Sequence, residues 1–120
     1  MAGLRFLACA VVAMLAVGCS SPSAQERTTG AELAAVAPLK TRYPGVVMGF
    51  DVRSPETLIV SLDLQSYLDM DDGAVAAMQR DVLRRWRAAW SAAHPHAHAV
   101  LHVRFIDFIG RKVADESTTL

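Results

Sequence analysis

The sequence predicts a small α+β domain in which two helices pack on one face of a mainly antiparallel sheet. Two runs alternate apolar and polar residues at period two and are separated by a short turn, which is typical of a half-buried β-hairpin. A long segment downstream carries apolar residues three and four positions apart, which is typical of an amphipathic helix. The expected order is α-β-β-α-β with a further short strand, and the simplest packing places both helices on the same side of the sheet.

The first helix is predicted to begin at Thr29, because Thr29 and Glu32 have the spacing of a capping box. Pro38 has no backbone N–H and crowds the preceding turn, so we expect the helix to kink or restart there. The sequence "YPG" at residues 43–45 should end this segment, since proline restricts Tyr43 and Gly45 allows a tight turn.

Two strands are predicted next, each with one apolar face. The residues expected on the buried face of the first strand are Val46, Met48, Phe50 and Val52. Those expected on the buried face of the second are Leu58, Val60, Leu62 and Leu64. The intervening "SPE" at residues 54–56 supplies the turn of an antiparallel hairpin.

The long helix is predicted over residues 73–93, and Pro95 ends it just after His94. Its apolar stripe comprises Val75, Met78, Val82, Trp86, Ala89 and Ala93. Trp90 is expected near the edge of this stripe. The last predicted strand carries Ala99, Leu101, Val103 and Phe105 on one face, "DFIGRK" forms a turn, and a short closing strand begins at Val113.

The amino-terminal segment has the composition of a secretory signal peptide. Arg5 precedes an apolar run from Phe6 to Val17, and a small residue stands before Cys19. The run is shorter than the ~20 residues that a membrane-spanning helix needs. We therefore expect this segment to be removed.

The residues at the expected cleavage site, "LAVGC", carry a more specific pattern. They resemble the lipobox of bacterial lipoproteins, with Ala16, Val17 and Gly18 before the cysteine. The resemblance covers residues 1–21 only and implies that residues 1–18 are removed, that Cys19 receives a diacylglycerol thioether and that the new amino terminus is acylated. The alternative is a plain secretory signal peptide with an incidental cysteine.

The resulting domain organisation has three parts. Residues 1–18 form the lipoprotein signal peptide, residues 19–29 a lipidated flexible tether and residues 30–120 a single small α+β domain. Cys9 lies in the segment expected to be removed, so no disulfide is predicted for the mature chain.

Location and partners follow in part from the same residues. Serine at position 20, by resemblance to enteric-type sorting, favours an outer-membrane lipid anchor facing the periplasm. After loss of Arg5 the chain has eleven basic and twelve acidic side chains, so nothing indicates a nucleic-acid partner.

The four histidines lie within nine residues, "HPHAHAVLH", and raise the question of a metal site. Imidazole suits transition metals, and His96, His98 and His102 could share one side of a strand. However, His98 and His102 would stand roughly 13 Å apart along that strand. His94 next to Pro95 instead suits a helix end, where imidazole meets the last carbonyls. Whether His94, His96, His98 and His102 bind a metal stays open.

Three other groups were weighed for chemistry. Asp69, Asp71 and Asp72 lack the spacing of a calcium loop and suit the capping of a helix. Arg80, Arg84 and Arg87 form a basic helix face that could meet anionic lipid, with Arg85 beside it and Asp81 placed to pair with Arg84 or Arg85. Ser91, a histidine and Asp107 are the residue types of a catalytic triad. The sequence around Ser91 lacks the strand–turn–helix pattern that exposes a nucleophilic serine.

The sequence therefore indicates a membrane-anchored cell-envelope lipoprotein that acts as a non-catalytic binding or assembly module. Cys19 is its predicted lipidation site, its partner is the membrane together with an unknown envelope protein, and no catalytic, cofactor-binding or metal-binding residues are predicted. The alternative is a periplasmic metal-binding lipoprotein that uses the histidine tract.

Overall fold

The computed structural model describes residues 21–120, so the predicted signal peptide and Cys19 lie outside the described residues. The elements are α1 (Ala24–Val36), α2 (Pro38–Arg42), β1 (Val47–Ser54), β2 (Thr57–Leu62), α3 (Leu64–Leu68), α4 (Asp72–Ala93), β3 (Val100–Ile106) and β4 (Lys112–Thr119). The predicted α+β class and element order are confirmed. The closing strand is longer than expected and pairs along the whole of β3.

The four strands form one sheet in the order β1-β2-β3-β4. The β1–β2 and β3–β4 pairs are antiparallel, whereas β2 and β3 are parallel. Parallel neighbours need a long crossover, and α4 provides it between β2 and β3. Because β2 and β3 run in the same direction, the carboxyl ends of both strands lie at the same end of the domain.

Both long helices cover one face of this sheet, as predicted. Alternate strand residues project toward them, since side chains two apart share a face. The buried core residues on the strands are Val47, Leu58, Val60, Leu62, Leu101, Val103 and Phe105. Those on the helices are Val36, Leu39, Met78, Val82, Trp86, Ala89 and Trp90. The stripe predicted for α4 is thus confirmed at its centre, and Trp90 is more deeply buried than expected.

The first helix begins earlier than the capping-box pattern indicated. The Oγ of Ser23 accepts a hydrogen bond from the backbone N–H of Glu26 at 3.1 Å, so Ser23 is the N-cap and α1 starts at Ala24. Residues 24–29, predicted as part of the tether, are therefore helical. Extending a helix that is already packed against the sheet fixes the backbone of only a few more residues. Small polar residues without apolar periodicity can therefore form its first turns.

The other predicted boundaries of the helical region are confirmed. Ala37 separates α1 from α2, which begins at Pro38. This second helix ends at Arg42, with Tyr43 as its C-cap. Gly45 has φ +75°, the left-handed conformation that glycine adopts at no steric cost. The long helix has Asp71 as its N-cap and His94 as its C-cap.

The predicted buried face of β1 is wrong at Met48. The strand register shifts between Val47 and Gly49, which marks a β-bulge. A bulge inserts one residue, so Val47 is buried and Met48 is turned to solvent, while Phe50 and Val52 keep the predicted face. In β2 the prediction holds as far as Leu62, but Leu64 begins α3 instead of continuing the strand.

Residues 21–120 contain no helix with the length and apolar character needed to cross a membrane. The long helix α4 has 22 residues but carries charged side chains on its outer face.

Candidate binding surfaces

The domain has two ends that differ in chemistry. One end is formed by the β1–β2 turn, residues 55–56, and by the last turn of α4. The first turn of α1 also lies there, so we call it the proximal end. The distal end is formed by the β3–β4 turn, residues 107–111, and by the segments around Val47 and α3. The chain therefore enters the domain at its proximal end, through residues 21–23.

Exposed large apolar side chains are concentrated at the distal end. Within residues 21–120 they are Phe108 (89% exposed), Leu68 (63%), Ile109 (59%), Met48 (52%) and Val100 (49%). Val100 alone among them begins β3 at the proximal end. Contiguous exposed apolar surface is a feature of interaction sites, whereas single exposed residues are ordinary. The distal end is thus the stronger candidate for contact with another molecule.

The turn that presents Phe108 and Ile109 is held by a buried carboxylate. Asp107 accepts hydrogen bonds from the backbone N–H of Ile109 (3.1 Å) and from the N–H and Nε of Arg111 (2.9 and 2.7 Å). Burial raises the pKa of Asp107, but these bonds and the Arg111 charge outweigh it and leave that pKa lowered. Gly110 completes the turn at φ +88°. Two large apolar side chains are therefore displayed on an ordered scaffold.

The sequence contained a signal for this tip that the prediction did not use. "DFIGRK" was interpreted only as a turn, although turns usually consist of small and polar residues. The turn itself does not require large apolar side chains at positions 108 and 109. Their presence in an exposed turn makes Phe108 and Ile109 candidates for contact with another molecule.

The sheet face away from the helices carries a shallow polar hollow. A cavity of about 410 Å³ lies over it, lined by Thr57, His102, Arg104, Asp115, Glu116 and Ser117. Arg104 Nε donates to Asp115 Oδ1 at 3.3 Å, so the charges of this face are paired across β3 and β4. Ile59, between Asp51 and Arg104 in the neighbouring strands, is 4% exposed and lies beneath their side chains.

The histidine tract is divided as the helix-end interpretation predicted. His94 caps α4, and its ring stacks on Trp90 with centroids 4.2 Å apart. His96 and His98 are exposed in the connection to β3, and His102 lies on the outer face of that strand. Among residues 21–120, no group of three or more His, Cys, Asp or Glu side chains is placed to hold a metal ion.

The acidic cluster caps helices, as its spacing suggested. Asp71 Oδ1 accepts from the N–H of Ala74 at 2.7 Å, and Asp72 lies in the first turn of α4 near the positive end of its dipole. Asp69 accepts from Gln65 Nε2 at 3.0 Å at the end of α3. These contacts account for the cluster without a bound ion.

Asp81 is the centre of a charged group that fixes α2 to α4. This carboxylate is 4% exposed, and it accepts hydrogen bonds from Tyr43 Oη at 2.8 Å and from Arg84 Nη2 at 2.8 Å. Arg42 adds an ion pair, with its Nε 3.1 Å from Asp81 Oδ2. The predicted pairing with Arg84 is confirmed, whereas Arg42 and Tyr43 were not foreseen because they lie far away in sequence. Arg80 and Arg87 remain exposed on the helix surface.

The residues of the hypothetical triad are not brought together. Ser91 is exposed near the end of α4 that leads into β3, whereas Asp107 follows the other end of β3. The seven residues of this strand separate the two ends by roughly 23 Å. Both Asp107 oxygens are also occupied by the turn that it stabilises.

A second hollow lies at the proximal end and contains a buried carboxylate. It measures about 240 Å³ and is lined by Ala24, Gln25, Thr28, Thr29, Glu32, Val52, Pro55 and His94. Glu32 is 3% exposed, and its Oε2 has no hydrogen-bond partner among residues 21–120. Burial raises the pKa of Glu32, and the nearby His94 opposes that effect.

Comparison with known proteins gives no relative. No family model matches the chain, and neither a curated protein nor a solved structure is significantly similar to it.

Proposed function

We propose that this protein is a membrane-anchored cell-envelope lipoprotein that acts as a non-catalytic binding or assembly module and meets its protein partner at the distal end. The observation that carries the proposal is the unequal distribution of exposed large apolar side chains. Of the five found among residues 21–120, four lie at the distal end. A domain held at one end and apolar at the other is suited to contact a second molecule away from its anchor.

The anchor rests on the lipobox-like residues before Cys19 and on the direction in which the chain enters the domain. Five positions separate Cys19 from the first helical residue, Ala24. Even fully extended, five residues span at most about 18 Å, so the proximal end would stay near the membrane. Two or more acyl chains give stable membrane attachment, which a single chain does not. Serine at position 20 supports the outer membrane, with the domain in the periplasm.

The anchor is tested by the variant Cys19→Ser, expressed in a host with lipoprotein processing. Wild-type protein should incorporate labelled palmitate and sediment with membranes after a carbonate wash. The variant should incorporate none. Palmitate labelling that persists in Cys19→Ser would refute the proposed site.

Docking at the distal end is tested by a photo-crosslinking residue placed at position 108 in living cells. A matched position, Ala88, is exposed on the outer side of α4 and serves as the control. We expect a discrete crosslinked protein from position 108 and none from position 88. The partner so identified is then purified and its affinity for the wild-type protein is measured.

The double variant Phe108→Ser/Ile109→Ser should bind that partner at least tenfold more weakly, because buried aromatic and aliphatic anchors dominate most interfaces. Val100→Ser removes a similarly exposed apolar side chain at the proximal end and should leave the affinity unchanged. Equal affinities for wild-type protein and the double variant would refute distal docking.

A further inference from the structure

We infer that the hollow between α1 and the β1–β2 turn is a binding site for a small primary amine, whose ammonium group donates hydrogen bonds to Glu32. This site lies at the proximal end, away from the proposed protein-docking tip, and does not depend on that proposal.

The first argument is the state of the Glu32 carboxylate. Its Oε2 is buried and has no hydrogen-bond partner within the described part of the chain, although buried polar atoms are nearly always hydrogen-bonded. An apolar side chain of similar size would avoid this cost at the same place. A buried acceptor that lacks a donor inside the domain is suited to a donor supplied by a ligand.

The second argument is the charge around the hollow. Glu32 and His94 are the two ionisable side chains that line it. Arg27, the nearest basic residue along α1, directs Nη1 to the carbonyl of Pro22 at 2.9 Å and is not among the lining residues. Within residues 21–120 Glu32 forms no salt bridge, so a bound cation would supply its counter-charge.

The third argument is the fixed position of His94. Its Nδ1 lies 3.0 Å from the carbonyl oxygen of Trp90, and its ring stacks on the Trp90 indole. Since a carbonyl only accepts, Nδ1 carries the hydrogen. The imidazole is therefore held in one position in the wall of the hollow that also contains Glu32, so the site is ordered before a ligand enters it.

The lining chemistry favours an organic cation over a metal ion. Glu32 and His94 offer two ligating groups, whereas catalytic zinc sites use three protein ligands and structural sites four. The remaining polar lining consists of Gln25, Thr28 and Thr29, which suit a hydroxyl or carbonyl group on the ligand. Val52 and Pro55 add apolar contact.

The size of the hollow limits the ligand. Drug-sized molecules occupy sites of about 300–1,000 Å³, and this hollow of about 240 Å³ is smaller. A two- or three-carbon amine with a neighbouring hydroxyl group fits the volume and the lining. Such a group occurs both in free amino alcohols and in the ethanolamine headgroup of lipids.

The test uses ethanolamine as the probe and the full-length protein purified from membranes in a non-ionic detergent. Calorimetric titration should give saturable one-to-one binding with a dissociation constant of ~0.1–10 mM, the range open to a ligand of so few atoms. Ethanol and tetramethylammonium, which lack the ammonium hydrogens, should bind at least tenfold more weakly.

The decisive variant is Glu32→Gln, which preserves the side-chain size and removes the charge. It should weaken ethanolamine binding at least tenfold while circular dichroism shows an unchanged fold. Glu26→Gln makes the same change on the exposed side of α1, outside the hollow, and should bind like the wild type. Equal binding by wild-type protein and Glu32→Gln, or no saturable binding by either, would overturn the inference.

Two further measurements distinguish a lipid headgroup from a free amine, and an amine site from a metal site. Nanodiscs containing phosphatidylethanolamine should compete with ethanolamine if the headgroup is the source, and phosphatidylcholine nanodiscs should not. Competition by neither assigns the site to a free amine. Stoichiometric Zn²⁺ binding that requires Glu32 and His94, with no ethanolamine binding, would overturn the inference in favour of a metal site.

Discussion

At the scale of single residues, Asp81 shows how a buried charge can hold helices together. Burial raises the pKa of this carboxyl, but hydrogen bonds from Arg84 and Tyr43 and the charges of Arg42 and Arg84 outweigh that effect, so the pKa is lowered. A carboxyl group with a lowered pKa stabilises the fold above its ordinary value of 3.8 and loses that contribution as the pH falls through the lowered value.

We therefore predict that Asp81→Asn lowers the free energy of unfolding by about 1–3 kcal/mol at pH 7, because the charge-assisted hydrogen bonds are lost. The difference from the wild type should shrink as the pH falls from 3.8 through the lowered value, because the wild-type carboxyl then also becomes neutral. Urea denaturation at a series of pH values measures both. Asp115→Asn is the control and should change stability little, because its ion pairs with Lys112 and Arg104 are exposed to solvent. A pH-independent difference would contradict the electrostatic explanation.

Glu32 is the opposite case at the same scale. Its raised pKa means that the fold disfavours the charged form, so stability is lost as the pH rises from the ordinary value of 4.5 through the raised value. We predict that Glu32→Gln increases the free energy of unfolding by about 1 kcal/mol at pH 7 and that the gain disappears below pH 4.5. Thermal unfolding at both pH values tests this. A variant less stable than the wild type at pH 7 would show that Glu32 is a structural residue.

At the scale of elements, the end of α4 fixes the β1–β2 turn. Trp86 Nε1 donates to the carbonyl of Glu56 at 3.2 Å, and Trp90 Nε1 donates to that of Pro55 at 3.0 Å. The N–H of His102 in β3 also donates to the carbonyl of Glu56 at 3.0 Å. Two indoles one helical turn apart thus connect the crossover helix to the hairpin that precedes it.

We predict that Trp90→Phe destabilises the protein by about 1–2 kcal/mol, since an aromatic ring is kept but the Pro55 carbonyl loses its donor. Amide hydrogen exchange should become faster at residues 56 and 57, next to the released turn. Tyr67→Phe is the control, because it removes only a long hydrogen bond of 3.4 Å from Gln79. Unchanged exchange at the turn in Trp90→Phe would show that the indole N–H has no role in fixing it.

At the scale of the whole molecule, stability and recognition are assigned to different ends. The core lies between the helices and one sheet face, whereas Phe108 and Ile109 project from the distal turn. Phe108→Ser/Ile109→Ser should therefore change the free energy of unfolding by less than about 0.5 kcal/mol, as exposed substitutions usually do. Chemical denaturation provides the measurement. A loss of more than 1 kcal/mol would mean that these side chains pack within the domain.

The accuracy of the sequence predictions followed the range of the interactions involved. The caps Asp71 and His94, the restart at Pro38 and the apolar faces of β2, α4 and β3 were predictable, because each depends on residues a few positions apart. The start of α1 and the face of Met48 were mispredicted. The early start of α1 requires only Ser23 as an N-cap and a following segment that is packed on the sheet. The β-bulge in β1 reverses which side chains face the core, and no residue pattern near Met48 indicates it.

By itself, the sequence determined the α+β class, the order of the main elements and most core residues of β2, α4 and β3, because hydrophobic periodicity and backbone restrictions act locally. It also indicates Cys19 as the expected lipid anchor. Only the tertiary structure decided that β2 and β3 are parallel, that Arg42 and Tyr43 meet Asp81, and that Glu32 is buried beside His94. The physical reason is that burial and hydrogen bonding between distant residues depend on how the elements pack, which no local pattern records.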